Sequence, residues 1–157
     1  MKAKEEIIRY KRSRFSTRLP VARIYTRSHY WLREDEAGGW RIGLTKFATR
    51  MLGDLVEFEL SVGAGDPVEV GDKIGWIEGF KAVSDLYAVA KGSFAGGNDA
   101  LGRDITLLES DPYGEGWLYR IDGEPEPGGL SAQDYIHVLD ATIDKMLAAR
   151  GEPDSDA

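Results

Sequence analysis

The side chain best placed for covalent chemistry is Lys81, in the stretch GDKIGWIEGFKAVSDLYAVAKG that runs from Gly71 to Gly92. It stands between Phe80 and Ala82, with Glu78 just before and Ser84 and Asp85 just after. An amine carried into solvent on a rigid turn suits acylation, because a modifying enzyme can reach it and no buried ion pair holds it. Most lysines on such turns are only solvated charges, and from this stretch alone both readings stand. The rest of the sequence narrows the chemistry. With no cysteine, the chain has no disulfide, zinc–thiolate site or thiol nucleophile, so redox work would need an attached group. Its two histidines, His29 and His137, lie far apart, which argues against a histidine-rich metal site. No phosphate-cradling, dinucleotide, zincin or nucleophile-elbow motif occurs. None of the 27 Asp and Glu residues is singled out as a catalytic pair by spacing, and surface solvation accounts for most of them.

The elements that would carry Lys81 read as strands. Lys73–Glu78 and Asp85–Ala90 both alternate with period 2, which predicts a hairpin with Lys81 in its turn. Upstream, Glu5–Arg12 reads as a possible helical turn and Val21–Leu32 as one strand or two short ones. Gly38 and Gly39 mark a turn before the strand Trp40–Leu44. Thr45 then reads as the N-cap of a short helix, Lys46–Leu52, closed by Gly53. The strand Asp54–Leu60 should show Leu55, Glu57 and Glu59 on one face and Val56, Phe58 and Leu60 on the other. Another strand is expected around Gly92–Phe94, and Gly116–Ile121 is the last, followed by a loop over Glu124–Gly129. Ser131 caps a terminal helix whose apolar stripe recurs at helical spacing from Tyr135 to Leu147. The expected class is mainly β: a sandwich or flattened barrel with a short internal helix and a C-terminal helix. In segments this gives a basic arm over 1–20, a β domain over 21–123, a loop and helix over 124–150, and a polar tail over 151–157.

At 157 residues the chain is one domain by size. No apolar run approaches the roughly 18 residues of a spanning helix, and the charged N-terminus predicts no secretory signal. The expected setting is therefore the cytoplasm, away from membranes. Charge is uneven: residues 1–27 hold nine Lys and Arg against Glu5 and Glu6, a net of +7, which leaves −14 for the rest of a chain of net −7. An acidic body with few aromatics in its basic arm predicts no nucleic-acid partner, and an arm docked on its own body or on a partner.

From Tyr25 to Ile121 the chain resembles the H protein of the glycine cleavage system, a lipoyl-carrying hammerhead domain. The resemblance is carried by Thr26–Trp31, by Ile42-Gly43-Leu44-Thr45 and by Leu52-Gly53-Asp54-Leu55-Val56. It continues through Val70-Gly71-Asp72, Glu78 with Lys81-Ala82-Val83-Ser84-Asp85, Gly92, and the run from Asp111 to Leu118. The resemblance implies a lipoyl/biotinyl-type fold and lipoate joined to Lys81, with Glu78 and Gly92 read by the attaching enzyme, a lipoate ligase or a lipoyl/octanoyl transferase. It implies a non-catalytic carrier of an aminomethyl group, served by glycine decarboxylase, aminomethyltransferase and dihydrolipoamide dehydrogenase. Biotin is the competing cofactor for such a hairpin, but its acceptors usually flank the lysine with methionines. Two departures stand out. Gly79-Phe80 replaces the family's usual pair before the lysine, and Tyr30 replaces the glutamate of its HEW motif. Tyr30, Ser84 and Asp85 are expected along the groove where a loaded arm lies. Those departures keep open an H-like lipoyl protein that carries sulfur intermediates, and an unmodified interaction module is a third reading.

Overall fold

The computed structural model describes residues 5–151. In chain order the strands are β1 (Ile7–Arg12), β2 (Phe15–Pro20), β3 (Ile24–Tyr25), β4 (Tyr30–Glu34) and β5 (Trp40–Leu44). Helix α1 (Lys46–Leu52) is followed by β6 (Leu55–Leu60), β7 (Pro67–Val68), β8 (Lys73–Gly79), β9 (Val83–Tyr87) and β10 (Ala90–Gly97). Two single-turn helices, α2 (Ala100–Arg103) and α3 (Leu107–Ser110), precede β11 (Tyr119–Pro125) and α4 (Ala132–Arg150).

A six-stranded sheet, ordered β3-β4-β5-β11-β10-β7, faces a three-stranded sheet, β6-β8-β9. One core joins them: Leu32, Ile42, Phe94 and Ile121 from the larger sheet, and Ile74, Ile77 and Leu86 from the smaller. The sheets stay open at their edges, so the molecule is a sandwich and not a closed barrel. The expected alternation of Asp54–Leu60 fails in one place. A bulge between Leu55 and Glu57 slips the register against β8, and Leu55 joins Phe58 and Leu60 against the core.

The arm is the largest departure from the reading of the sequence. Glu5–Arg12 forms no helical turn; Ile7–Arg12 is a strand, paired antiparallel with Phe15–Pro20 in a hairpin of its own. The two-residue loop Ser13-Arg14 works because Ser13 takes the positive φ, 56°, that such a loop wants at its first position. Tyr10, Phe15 and Leu19 turn inward onto α1 and α4, and with Tyr25, Trp31, Tyr135 and Leu139 they make a second core. Residues 1–4 of the expected arm and 152–157 of the expected tail lie outside the described residues.

Both principal helices begin and end where their capping residues require. The hydroxyl of Thr45 accepts from the amide of Ala48, and that of Ser131 from the amide of Asp134 at 3.1 Å. Gly53 and Gly151 close them at positive φ. The stripe of α4 is buried at Ala132, Tyr135, Leu139, Ile143 and Leu147. The terminal helix is therefore part of the folded body.

Candidate functional site

Lys81 is exposed at the tip of the β8–β9 hairpin. The amide of Gly79 donates to the carbonyl of Ala82 at 2.9 Å, which leaves Phe80 and Lys81 as the two-residue tip. The strands differ from expectation at the far end. The second begins at Val83 and stops at Tyr87, and Ala90 starts β10.

What immobilises the tip lies outside the hairpin. The amide of Lys81 donates to the carbonyl of Leu52, and the amide of Phe80 to that of Asp54, both at 2.9 Å. Two backbones meet here closely enough to exclude side chains. A Cβ at Gly79 would run into the carbonyl of Leu52, and one at Gly53 would lie 2.8 Å from Cγ of Lys81. Gly53 also holds φ 77°, which disfavours any larger residue. The departure at Gly79 thus has a steric reason. Gly79 shows no positive φ, so it is there for close approach and not for a turn.

The base of the hairpin is held by two phenols. The hydroxyl of Tyr30 accepts from the amide of Tyr87 at 3.0 Å. The hydroxyl of Tyr119 donates to the carbonyl of Tyr87 at 2.9 Å and accepts from the amide of Val89 at 3.2 Å. Beyond Tyr87, the last residue of β9, the backbone bonds elsewhere: the amide of Ala88 donates to the carbonyl of Asp72 and that of Val89 to the hydroxyl of Tyr119. Tyr30 is 3% exposed, and burial raises its hydroxyl to a pKa of about 12, so it stays protonated.

A groove of about 420 Å³ runs beside the hairpin, bordered by Tyr30, Phe47, Leu52, Val83, Ser84 and Asp85 among others. It brings together the three residues expected there, but their polar groups are already engaged. The carboxylate of Asp85 pairs with Lys73 at 3.1 Å, and the hydroxyl of Ser84 donates to the carbonyl of Asp85 at 3.1 Å. Most of the remaining wall is apolar. Glu78 is half-buried on β8, directly opposite Glu57 and Val83. Gly92 lies on the other sheet, in β10, at φ 145°, where a Cβ would strike the carbonyl of Asp122. Close packing against β11 accounts for glycine there.

The arrangement offers one reactive group. Among the described residues, the amine of Lys81 has no ion-pair or hydrogen-bond partner. It sits on a tip fixed at both ends, beside an apolar groove, which fits an acyl group that begins polar and ends apolar. No group of three or more candidate metal ligands occurs among the described residues. Nor is any described helix long and apolar enough to cross a membrane. Sequence reasoning missed the carbonyls of Leu52 and Asp54 and the hydroxyl of Tyr119. The only trace of the first two was a glycine on each of two segments remote in sequence.

Residues 23–135 match the family model described as glycine cleavage H-protein. The chain is 42% identical over 125 residues to the glycine cleavage system H protein of Listeria monocytogenes serotype 4b, covering 78% of this chain and 98% of that one. It is 40% identical over 120 residues to the H protein of a Psychrobacter species, covering 74% and 94%. The crystal structure of the H protein from Mycobacterium marinum superposes with a TM-score of 0.70 at 35% identity, covering 78% of this chain and 99% of that one. The chain belongs to the glycine cleavage H-protein family, the non-catalytic lipoyl carriers of the glycine cleavage system.

Proposed function

We propose that Lys81 is the residue that carries lipoate, and that the loaded chain moves an aminomethyl group between the components of the glycine cleavage system. The observation that carries the assignment is the fixed, exposed and unpartnered amine at the hairpin tip. Once joined to Lys81 by an amide, lipoate would supply the disulfide–dithiol couple that a cysteine-free chain lacks.

The chain's own residues do three things. The carbonyls of Leu52 and Asp54 hold the tip, so the attaching enzyme meets one backbone geometry. Glu78, three residues before the lysine, offers that enzyme a carboxylate, and Gly92 lets β10 lie close against β11. The groove bordered by Tyr30, Ser84 and Asp85 gives an arm a largely apolar rest. The partners proposed are glycine decarboxylase, aminomethyltransferase, dihydrolipoamide dehydrogenase, and a lipoate ligase or lipoyl/octanoyl transferase. The setting proposed is the cytoplasm.

Co-expression with a lipoate ligase tests the reading by intact mass and peptide mapping. Wild type should gain one lipoyl group at Lys81. Lys81→Arg keeps the charge but does not form the amide, and should gain none. Modification that persists in that variant, or that maps elsewhere, overturns the assignment.

A further inference from the structure

The most uneven charge in the molecule lies on the β1–β2 ribbon. Its register sets Arg9 directly opposite Arg18 on the exposed face, and like charges across an antiparallel pair are destabilising. Lys11 and Arg14 are exposed beside them. Among the described residues none of these four cations has an ion-pair partner. The ribbon is nonetheless firmly mounted. Arg12 makes a two-pronged pair with Asp144 at 2.8 and 2.9 Å, and the hydroxyl of Tyr10 donates to Asp140 at 2.6 Å. Phe15 meets Phe47 of α1 edge-on, with centroids 5.4 Å apart.

The tip of the ribbon opens onto a recess of about 210 Å³ bordered by Arg12, Arg14, Arg50, Arg150 and Lys81. Its other borders are chiefly apolar, and no carboxylate lines it. Among the described residues Arg12 is paired, but Arg9, Lys11, Arg14 and Arg18 are not, so a chain of net −7 carries a basic face along the ribbon. That face reaches the Lys81 recess through Arg14 and is interrupted where Glu109 and Asp111 border a second recess with Arg9, Lys11 and Arg18. Most of that face lies outside residues 23–135, so it is an addition to the scaffold that the family shares.

We infer that the ribbon and this recess form a docking surface for an acidic face of an enzyme that acts on the Lys81 arm. The inference rests on the reading of Lys81 given above. An acidic partner face would supply the counter-charges that Arg9 and Arg18 lack, and would approach with its site toward Lys81. A polyanion such as nucleic acid fits less well, because the acidic body repels it and the ribbon's aromatics, Tyr10 and Phe15, are buried and cannot stack on bases.

The test uses the lipoylated full chain as substrate for the decarboxylase, the aminomethyltransferase and the dihydrolipoamide dehydrogenase in turn. Two double variants, Arg9→Glu/Arg18→Glu and Arg14→Glu/Arg150→Glu, are compared with wild type and with Arg103→Glu, an exposed site on α2. For at least one enzyme, both double variants should raise KM for the carrier about tenfold or more with kcat unchanged, and should flatten its dependence on ionic strength. Arg103→Glu should behave as wild type. Thermal melts check folding, and Arg9→Gln/Arg18→Gln replaces a reversal that fails to fold. Unchanged KM with all three enzymes overturns the inference. So does wild-type binding of a single-stranded oligonucleotide that the variants lose while every KM stays put, since that reassigns the face to nucleic acid. A wild-type chain that gains no lipoyl group at Lys81 removes the Lys81 reading first and this one with it. A chain modified at Lys81 whose variants keep wild-type KM removes this one alone.

Discussion

The amide of Lys81 lies 2.9 Å from the carbonyl of Leu52, so the last residue of a helix fixes the tip of a hairpin distant in sequence. The stiffness of the lysine's mount is therefore a tertiary property. It depends on α1 and on the glycines that let two backbones touch.

Gly79→Ala puts a methyl group against the carbonyl of Leu52, a backbone atom that cannot rotate aside. Urea denaturation should show a loss of about 1–3 kcal/mol, the range of an overpacked site. Lipoate attachment at Lys81 should slow as well. Phe80→Ala, next to the lysine but 81% exposed, should stay within about 0.5 kcal/mol of wild type. Equal stability of the two variants would remove the close-approach account of Gly79.

Tyr30→Phe keeps the ring and deletes the acceptor of the Tyr87 amide. An unsatisfied part-buried donor costs about 1–3 kcal/mol. Hydrogen exchange should report faster opening at Tyr87 than at Ile77, which sits mid-strand in β8. Unaltered protection at Tyr87 would mean that this phenol does not hold the hairpin base.

His29 gives the fold a pH dependence. Burial lowers its imidazole from 6.5 to about 4, while Nδ1 lies 2.8 Å from the hydroxyl of Tyr135 and the ring packs on Phe47. The folded state keeps it neutral where the unfolded chain would protonate it. Its contribution is thus complete above about pH 6.5 and is lost as pH falls toward about 4, on the order of 3 kcal/mol. His29 sits at φ 71°, a region asparagine tolerates, so His29→Asn removes the titration with little backbone strain. Stability measured at about pH 7 and about pH 4.5 should differ less in that variant. An identical difference in both proteins would clear His29 of the effect.

Leu139→Ala hollows the second core, where the side chain is fully buried among the ribbon, α1 and β3 residues. The expected loss is about 2–4 kcal/mol. A change below about 0.5 kcal/mol, the size of a surface substitution, would show α4 to be an appendage.

The parts legible in the sequence were those that local chemistry decides. Thr45 and Gly53 bracket α1 because a cap hydroxyl and a positive φ are local needs, and the strand Trp40–Leu44 follows from a glycine turn and alternation. Lys81 stood out as a candidate because the spacing of Glu78, Lys81 and Gly92 resembles that of the H proteins. The ribbon was hidden because its alternation sets basic residues against a mixed inner row of Ile8, Tyr10 and Arg12. Charge obscured the period, and Arg12 faces inward only because Asp144 meets it there. Leu55 was assigned to the wrong face because a bulge leaves no mark on periodicity. Tyr30 stood out as a replaced carboxylate, but the target of its hydroxyl is a backbone amide, which no side-chain pattern reveals.

The clasp between the ribbon and α4 also orders the events of synthesis. Tyr10 finds Asp140 across a separation of 130 residues, and Arg12 finds Asp144 across 132. On the ribosome neither bond can close until α4 has emerged, whereas every strand of the two facing sheets precedes that helix. The lysine hairpin can thus be complete on a nascent chain whose basic ribbon is still loose. An attaching enzyme could reach Lys81 before the surface beside it is locked, so the order of modification and final folding is open to competition.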